Sequence, residues 1–445
     1  MKSLMIFLYY ACLGRVLIST PRWYSFGGMY ESLRTAYQLA YCFNKKLVFV
    51  YPKNHVKLGQ EYTAFLNDEL CYLENDSVEV IGGYGSLISC VLTKWVEFTR
   101  AIKYTILGKG LYKIGVGKVI CKGFLGYSGI HNGKKVSAMF GLTEPVDFSR
   151  VYSNAVTFSF NDKQKQLLSK QLKNIGLSSD SKFVCLFVRD NGFEKLKTTG
   201  GSVDSNANIS RCYDVVRALV QAGYKVVRMG DPLMDSIEKL DGFIDYAHSK
   251  HATRLLDLYL YMNCSFWIGT MGGARFAPMF FRRPCIVINA VKLYFSAFCL
   301  NADDIFIAKH VFSFEKKRFL SLKEQLNCMD ELPSFSLVNE KYIYVENSGA
   351  EIYQAYIEFD KSRNNDEFDW NSELQNAFFE LKDLCVKKFF YRQDTGGWID
   401  YEVEQYHHLR PKVSPSFLEN CWDYGPYLQK LTNDYINRKR TADHG

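Results

Sequence analysis

Three apolar runs decide the fold: FVCLFVRD (183–190), KVVRMGD (225–231) and SFWIGTMGGAR (265–275). Each stops at polar or glycine punctuation, and each is followed by a segment with helical spacing. Short apolar runs that alternate with helices are the signature of a parallel sheet covered on both faces. Read outward from these runs, the sequence predicts strands over 182–188, 224–229, 242–246, 265–269 and 284–289. Helices are predicted over 161–175, 209–222, 252–263 and 272–282. Lys341–Val345 and Ala350–Phe359 would close the same doubly wound sheet.

Open α/β sheets bind ligands outside the carboxyl ends of their strands. The residues at those ends are therefore the candidate site. Arg189 and Asp190 follow the first run, and a guanidinium there suits a diphosphate, which it matches in a bidentate fork. Arg228, Gly230 and Asp231 end the second, where Gly230 either simply turns the chain or lets Arg228 face the crevice. Asp245 and His248 follow the third strand, and strand alternation would put them on opposite sides. Thr270 would cap the helix begun by Gly272, Gly273 and Ala274, whose free N–H groups form an anion site. Asn289 ends the fifth strand.

The first half reads as a second α/β unit. Arg15–Thr20 is a predicted strand, Phe26-Gly27-Gly28 a turn, Tyr30–Phe43 a helix, Lys46–Val50 and Val78–Ile81 further strands. Gly27, Gly28 and Glu31 stand where a glycine turn opens that helix. Residues 108–141 are rich in Gly and Lys and read as a surface or substrate-facing loop region. Neither Gly108-Lys-Gly110 nor Gly115-Val-Gly117-Lys118 completes a phosphate-binding spacing. Met5–Leu13 is apolar but too short to span a bilayer. It reads as a buried first element, as a membrane-surface segment or as a signal h-region, and these readings stay open.

Composition narrows the class. With 445 residues, 47% hydrophobic and 23% charged, the chain is globular and large enough for two domains. A net charge of +8 spread along the chain suits an anionic ligand or membrane face. No basic–aromatic ladder accompanies it, so nucleic acid is not an expected partner. Thirteen cysteines with no C-x-x-C pair read as free thiols of a cytoplasmic protein. The close histidine pairs, His248/His251 and His407/His408, lack a second pair at metal-binding spacing, so no metal or cofactor is expected. Asp360–Asp369 reads as a linker and 370–445 as a helical tail.

FVCLFVRD (183–190), NANIS (206–210), ALVQAGYKVVRMGDP (218–232), IDYAHS (244–249), FWIGTMGGARFAPMFFRRPCIVIN (266–289) and SPSFLEN (414–420) together resemble a bacterial family of glycosyltransferases associated with surface-polysaccharide gene clusters. The elements around Arg189 and Gly269-Thr270 are in turn similar to the donor-diphosphate elements of fucosyltransferase-type enzymes. The chain departs from the family at Phe187, at Ser205-Asn-Ala-Asn208 and at Met271-Gly272. The resemblance implies a GT-B-like α/β architecture, two Rossmann-like domains facing a cleft: 1–160 on the acceptor side, 161–360 binding the nucleotide sugar, 361–445 a helical extension. Arg189 would contact the donor β-phosphate, with Thr270, Gly272 and Gly273 at the phosphates. The implied reaction moves a sugar from a GDP- or UDP-sugar to a glycan or lipid-linked acceptor, for lipopolysaccharide or capsule synthesis, in the cytoplasm or peripherally on the inner membrane. No D-x-D is present, so a metal-independent reaction is expected. Glu31, Asp190 and Asp204 are the options for a carboxylate base. A nucleotide-sugar epimerase and a non-catalytic nucleotide-sugar-binding subunit are the alternatives.

Overall fold

The computed structural model describes residues 16–19, 30, 33, 34, 37, 40, 46–50, 78–81, 124–125, 158–190, 192, 206–291, 293, 304–332, 340–365, 367–392, 397–398 and 410–443. Along the chain run β1 (Val16–Ser19), β2 (Lys46–Val50), β3 (Val78–Ile81), β4 (Phe124–Leu125), α1 (Asp162–Asn174), β5 (Phe183–Phe187), α2 (Tyr213–Gln221), β6 (Lys225–Arg228), β7 (Phe243–Ile244) and α3 (Arg254–Asn263). There follow β8 (Trp267–Thr270), α4 (Phe276–Phe280), β9 (Cys285–Ala290), β10 (Ile305–Ala308), β11 (His310–Ser313), β12 (Arg318–Phe319), α5 (Leu322–Asn327), β13 (Tyr342–Val345) and α6 (Gly349–Asn364). The last are α7 (Ser372–Phe390), β14 (Tyr391–Arg392), β15 (Gly397–Trp398), β16 (Lys412–Val413), α8 (Pro415–Cys421) and α9 (Pro426–Asp443).

These elements divide into two compact units. The first takes Met1–Asn174, Ala252–Asn263 and Phe276–Arg282, and the second takes the rest. Unit 1 holds a parallel sheet of order β3-β2-β1-β4. Tyr30, Leu33, Tyr37 and Ala40 are helical and buried at three- and four-residue steps, the single apolar stripe of a helix lying on a core. Phe280 and Phe281 meet the Tyr30 ring at 6.0 and 6.1 Å between centroids. Strand β4 is a short strand paired with β1 inside the segment read as loop, because two residues carry too little pattern to be seen. Gly27, Gly28, Glu31, Asp204 and Met5–Leu13 lie outside the described residues.

Unit 2 is built on a seven-stranded sheet of order β16-β10-β9-β8-β5-β6-β7, parallel throughout. Its central strands β8 and β9 are buried at every residue, as a parallel sheet covered on both faces requires. The predicted strand–helix alternation is therefore present, with β16 from the tail adding an edge. Helix α2 begins after a short 3₁₀ turn, Ile209–Cys212, capped by the Asn208 side chain. It ends in a Schellman arrangement: Tyr224 N–H donates to Leu219 O, Gly223 N–H to Val220 O, and Gly223 takes a left-handed φ of 85°.

Three expectations change. Strand β13 does not join the large sheet; it pairs antiparallel with β11 in a separate sheet of order β12-β11-β13. Its residues are half exposed, which suits a sheet with one solvated face and not a doubly covered one. The 272–282 helix is a 3₁₀ turn, Gly273–Arg275, followed by α4. Pro278 has no N–H to give the Ala274 carbonyl, so an unbroken α-helix cannot run through both. Helix α6 extends to Asn364, leaving a shorter connection than the linker read over 360–369.

Candidate functional site

The strand order places a topological switch in unit 2. From β5 the chain builds outward through β6 and β7, then returns to lay β8 on the other side of β5 and continues through β9 and β10. The carboxyl ends of β5 and β8 therefore diverge, and such a switch point is where doubly wound sheets bind ligands. Arg189 N–H donates across it to Thr270 Oγ1 at 3.0 Å. Thr270 is fully buried and spends its hydroxyl oxygen on this bond, in place of the expected helix cap. Gly269 has to be glycine, since a Cβ there would stand 2.2 Å from the Phe187 carbonyl oxygen. Gly272 has no such restriction, its nearest neighbour being the Phe187 ring at 3.5 Å. Met271 faces inward, where its sulfur accepts the Val291 N–H at 3.1 Å.

Arg189 is half buried, and its carbonyl accepts the Ala207 N–H at 2.8 Å. That bond brings in Lys309, a residue that the sequence reading passed over. Lys309 follows β10, is 4% exposed, and donates from Nζ to the Asn206 carbonyl at 2.7 Å. A lysine directly behind a four-residue apolar strand was the available signal.

The second cluster lies beyond β6 and β7. Arg228 is fully buried; its Nη1 donates to Asp245 Oδ1 at 3.3 Å and its Nη2 stands 3.6 Å from Asp190 Oδ2. Asp190 also accepts the N–H groups of Gly192 (2.9 Å) and Asp235 (2.8 Å), so both of its oxygens are engaged. Gly192 permits this, because a Cβ there would lie 2.1 Å from the Leu233 carbonyl oxygen. Gly230 turns the chain at φ 153°, and Asp231 Oδ1 accepts the Leu233 N–H at 2.9 Å. His248 was expected on the face opposite Asp245. Instead a 3₁₀ turn, Tyr246–His248, replaces the end of the strand and returns the ring to Asp245, with Nδ1 and Oδ2 2.8 Å apart. Its Nε2 meets the Met234 carbonyl at 2.9 Å. Arg228, Asp190, Asp245 and His248 thus form one connected network whose geometry holds the 230–235 loop.

Asn289 adopts φ 53° inside β9. Its N–H donates to Asn347 Oδ1 at 2.8 Å and its Oδ1 accepts the Asn347 N–H at 2.7 Å. This reciprocal pair sits where one extra residue of β9 bulges against β10. The site therefore divides: Arg189, Thr270 and Gly272–Ala274 surround the switch, while Arg228, Asp190, Asp245, His248 and Asn289 brace the loops around it.

A third cluster was not visible from spacing. His310 Nε2 and Glu351 Oε1 lie 2.7 Å apart, and with Cys421 Sγ the three atoms all fall within 4.8 Å of one another. His310 opens β11, Glu351 lies in the first turn of α6 and Cys421 closes α8.

No protein-family model matches the chain, and no curated protein matches it. Solved structures similar to it include a glycosyl transferase family 9 protein from Veillonella parvula, at 10% identity and a TM-score of 0.32 over 61% of this chain and 80% of that one. The ADP-heptose heptosyltransferase II of E. coli gives 10% identity and a TM-score of 0.32 over 61% and 84%. The E. coli heptosyltransferase WaaC gives 10% and 0.26 over 62% and 89%.

Proposed function

We propose that the protein is a glycosyltransferase of GT-B type whose seven-stranded unit binds a nucleoside-diphosphate sugar. The sugar goes to a glycan or lipid-linked acceptor in surface-polysaccharide synthesis. The observation that carries this reading is the switch between β5 and β8, with Arg189, a buried threonine and a run of small residues at one pair of strand ends. Arg189 neutralises the diphosphate as it leaves, and backbone N–H groups of residues 272–274 supplement that charge. Residues 1–160, with Gly27, Gly28 and Glu31, serve the acceptor side, and 361–445 is an extension of the donor-binding half. Transfer needs no added divalent metal, since arginine and backbone dipoles take the role a metal would have. The donor is a GDP- or UDP-sugar.

A second reading, a non-catalytic nucleotide-sugar-binding subunit, draws support from Asp190. Each of its oxygens accepts a loop N–H and Oδ2 faces Arg228, which suits a bracing role; Glu31 and Asp204 are the other options for a base.

Thermal shift of the full chain with GDP, UDP, ADP, dTDP or CMP tests the binding claim. A ligand at about a hundred times its Kd adds about 2.7 kcal/mol to the native state. One nucleoside diphosphate raising the melting temperature, and Arg189→Ala removing that rise, is the expected result. No shift with any of the five overturns the donor site. Binding without turnover of the matching sugar nucleotide selects the non-catalytic reading, and turnover that strictly requires added Mg²⁺ or Mn²⁺ refutes the metal-independent mechanism.

A further inference from the structure

The His310–Glu351–Cys421 cluster asks for an explanation that the proposed transfer reaction does not supply. Three side chains of metal-binding type converge from three elements, each far from the others in sequence. His310 is 1% exposed and Cys421 1% exposed. Phe319 and Phe417 flank the imidazole at 5.6 Å each, so the surroundings are dry.

The carboxylate is already oriented as a one-oxygen donor. Glu351 Oε2 accepts the Ser348 N–H at 2.7 Å and the Ser348 hydroxyl at 2.9 Å, completing the capping box of α6. Oε1 is left to face His310. Tyr427 also hydrogen-bonds this carboxylate. Metal ligands are characteristically held in this way by a surrounding layer of hydrogen bonds, which fixes the donor atom in place.

A plain buried hydrogen bond accounts for His310 and Glu351 but not for a thiol converging on the same two atoms. One imidazole nitrogen, one carboxylate oxygen and one sulfur are a donor set for a borderline-soft, tetrahedral ion. With bonds of about 2.0–2.3 Å, tetrahedral donor atoms stand about 3.3–3.7 Å apart. The present separations bracket that value: 2.7 Å between His310 and Glu351, and none of the three beyond 4.8 Å. Opening the His310–Glu351 contact by less than about 1 Å, while the thiolate closes in, makes room for an ion. Such a shift is within ordinary side-chain torsional adjustment.

We propose that His310, Glu351 and Cys421 form a structural zinc site, with the Tyr427 hydroxyl or a water as fourth ligand, joining β11, α6, α8 and the start of α9. Zinc binding displaces the S–H proton of Cys421 and the proton that His310 Nε2 shares with Glu351 Oε1; both pass to solvent as the thiolate and the imidazole nitrogen take the metal. The site is separate from the switch between β5 and β8 and requires nothing of the donor.

Metal content of the untagged full chain, produced with zinc in the medium, tests this. The expected result is about one zinc per chain, and a drop of at least about tenfold in Cys421→Ser, whose hydroxyl is a poorer ligand of similar size. Cobalt replacing zinc should give the near-ultraviolet thiolate-to-cobalt charge-transfer band, absent in Cys421→Ser. If the serine variant does not fold, wild-type protein stripped by a chelator and titrated with zinc alone still decides: the melting temperature should rise and saturate at about one equivalent. Wild-type protein without zinc and without a response to it overturns the proposal, and so does zinc held equally well by Cys421→Ser.

Discussion

Two buried cations behave differently because their neighbours differ. Arg228 is fully buried between two carboxylates, Asp190 and Asp245. Removing a buried partner strands the charges left behind, at a cost of about 3–5 kcal/mol. Arg228→Met should accordingly lower stability by about 3 kcal/mol or more in urea unfolding; a loss under about 1 kcal/mol would show that the network is not structural. Lys382 is also fully buried, with Asp383 3.6 Å away and the Phe379 ring at 5.0 Å. Burial outweighs the Asp383 attraction and lowers its pKa from 10.5 to about 7. In the window between about 7 and 10.5 the unfolded chain holds a proton that the folded one has released, so this lysine makes stability rise with pH there. Below pH 7 both states are protonated and the burial cost is fully present. Lys382→Met should raise stability at neutral pH and flatten that rise, read as melting temperature against pH. The apolar runs showed which residues would be interior, but not these two, because a charged residue's burial depends on partners remote in sequence.

Elements were legible where their pattern was long. The runs of β5, β6, β8 and β9 each supply several buried residues in succession, and their helices carry a clear stripe. Strand β7 keeps only two residues, and the turn that follows it moves His248 by a different rule from strand alternation. The partner of β13 was not legible, since alternation tells which face is buried and not which neighbour is bonded. The close approach at Gly269 was not legible either, since the carbonyl it meets, that of Phe187, lies on another strand. Gly269→Ala should cost about 2 kcal/mol or more, because the backbone carbonyl it meets cannot rotate away; near-native stability would refute the close approach. Helix α5 offers a separate prediction. Burial raises the Glu324 pKa, but hydrogen bonds from Arg318, Lys316 and the Ser321 N–H more than offset this and bring it down to about 2. A depressed carboxylate contributes stability above its unfolded value of about 4.5, which is lost as pH falls toward 2. Glu324→Gln should therefore make acid unfolding shallower between these limits, in circular dichroism followed against pH.

At the scale of the whole chain, the candidate site was readable as a set of strand ends and unreadable as an arrangement. Arg189, Thr270 and the small residues at 272–274 could be placed at strand ends because a parallel strand announces its own carboxyl end. That Asp190 and Arg228 brace a loop, and that Lys309 stands near Asn206, depends on strand order. The His310–Glu351–Cys421 cluster is alike in this: its first two side chains lie 41 residues apart, far beyond any motif spacing. No helix among the described residues is long and apolar enough to cross a membrane. Deleting residues 1–14 therefore tests the membrane-surface reading of Met5–Leu13: release of the protein from sedimented vesicles supports it, and unchanged sedimentation refutes it.

Unit 1 is written in three pieces, with Ala252–Asn263 and Phe276–Arg282 returning to it from within the sequence of unit 2. During synthesis its amino-terminal 174 residues must wait for these two pieces to emerge from the ribosome. The aromatic face around Tyr30 stays uncovered until Phe280 and Phe281 arrive. Neither unit can then be made alone by cutting the gene once, and a nascent chain stalled near residue 250 should attract chaperones and protease more than one stalled past residue 300.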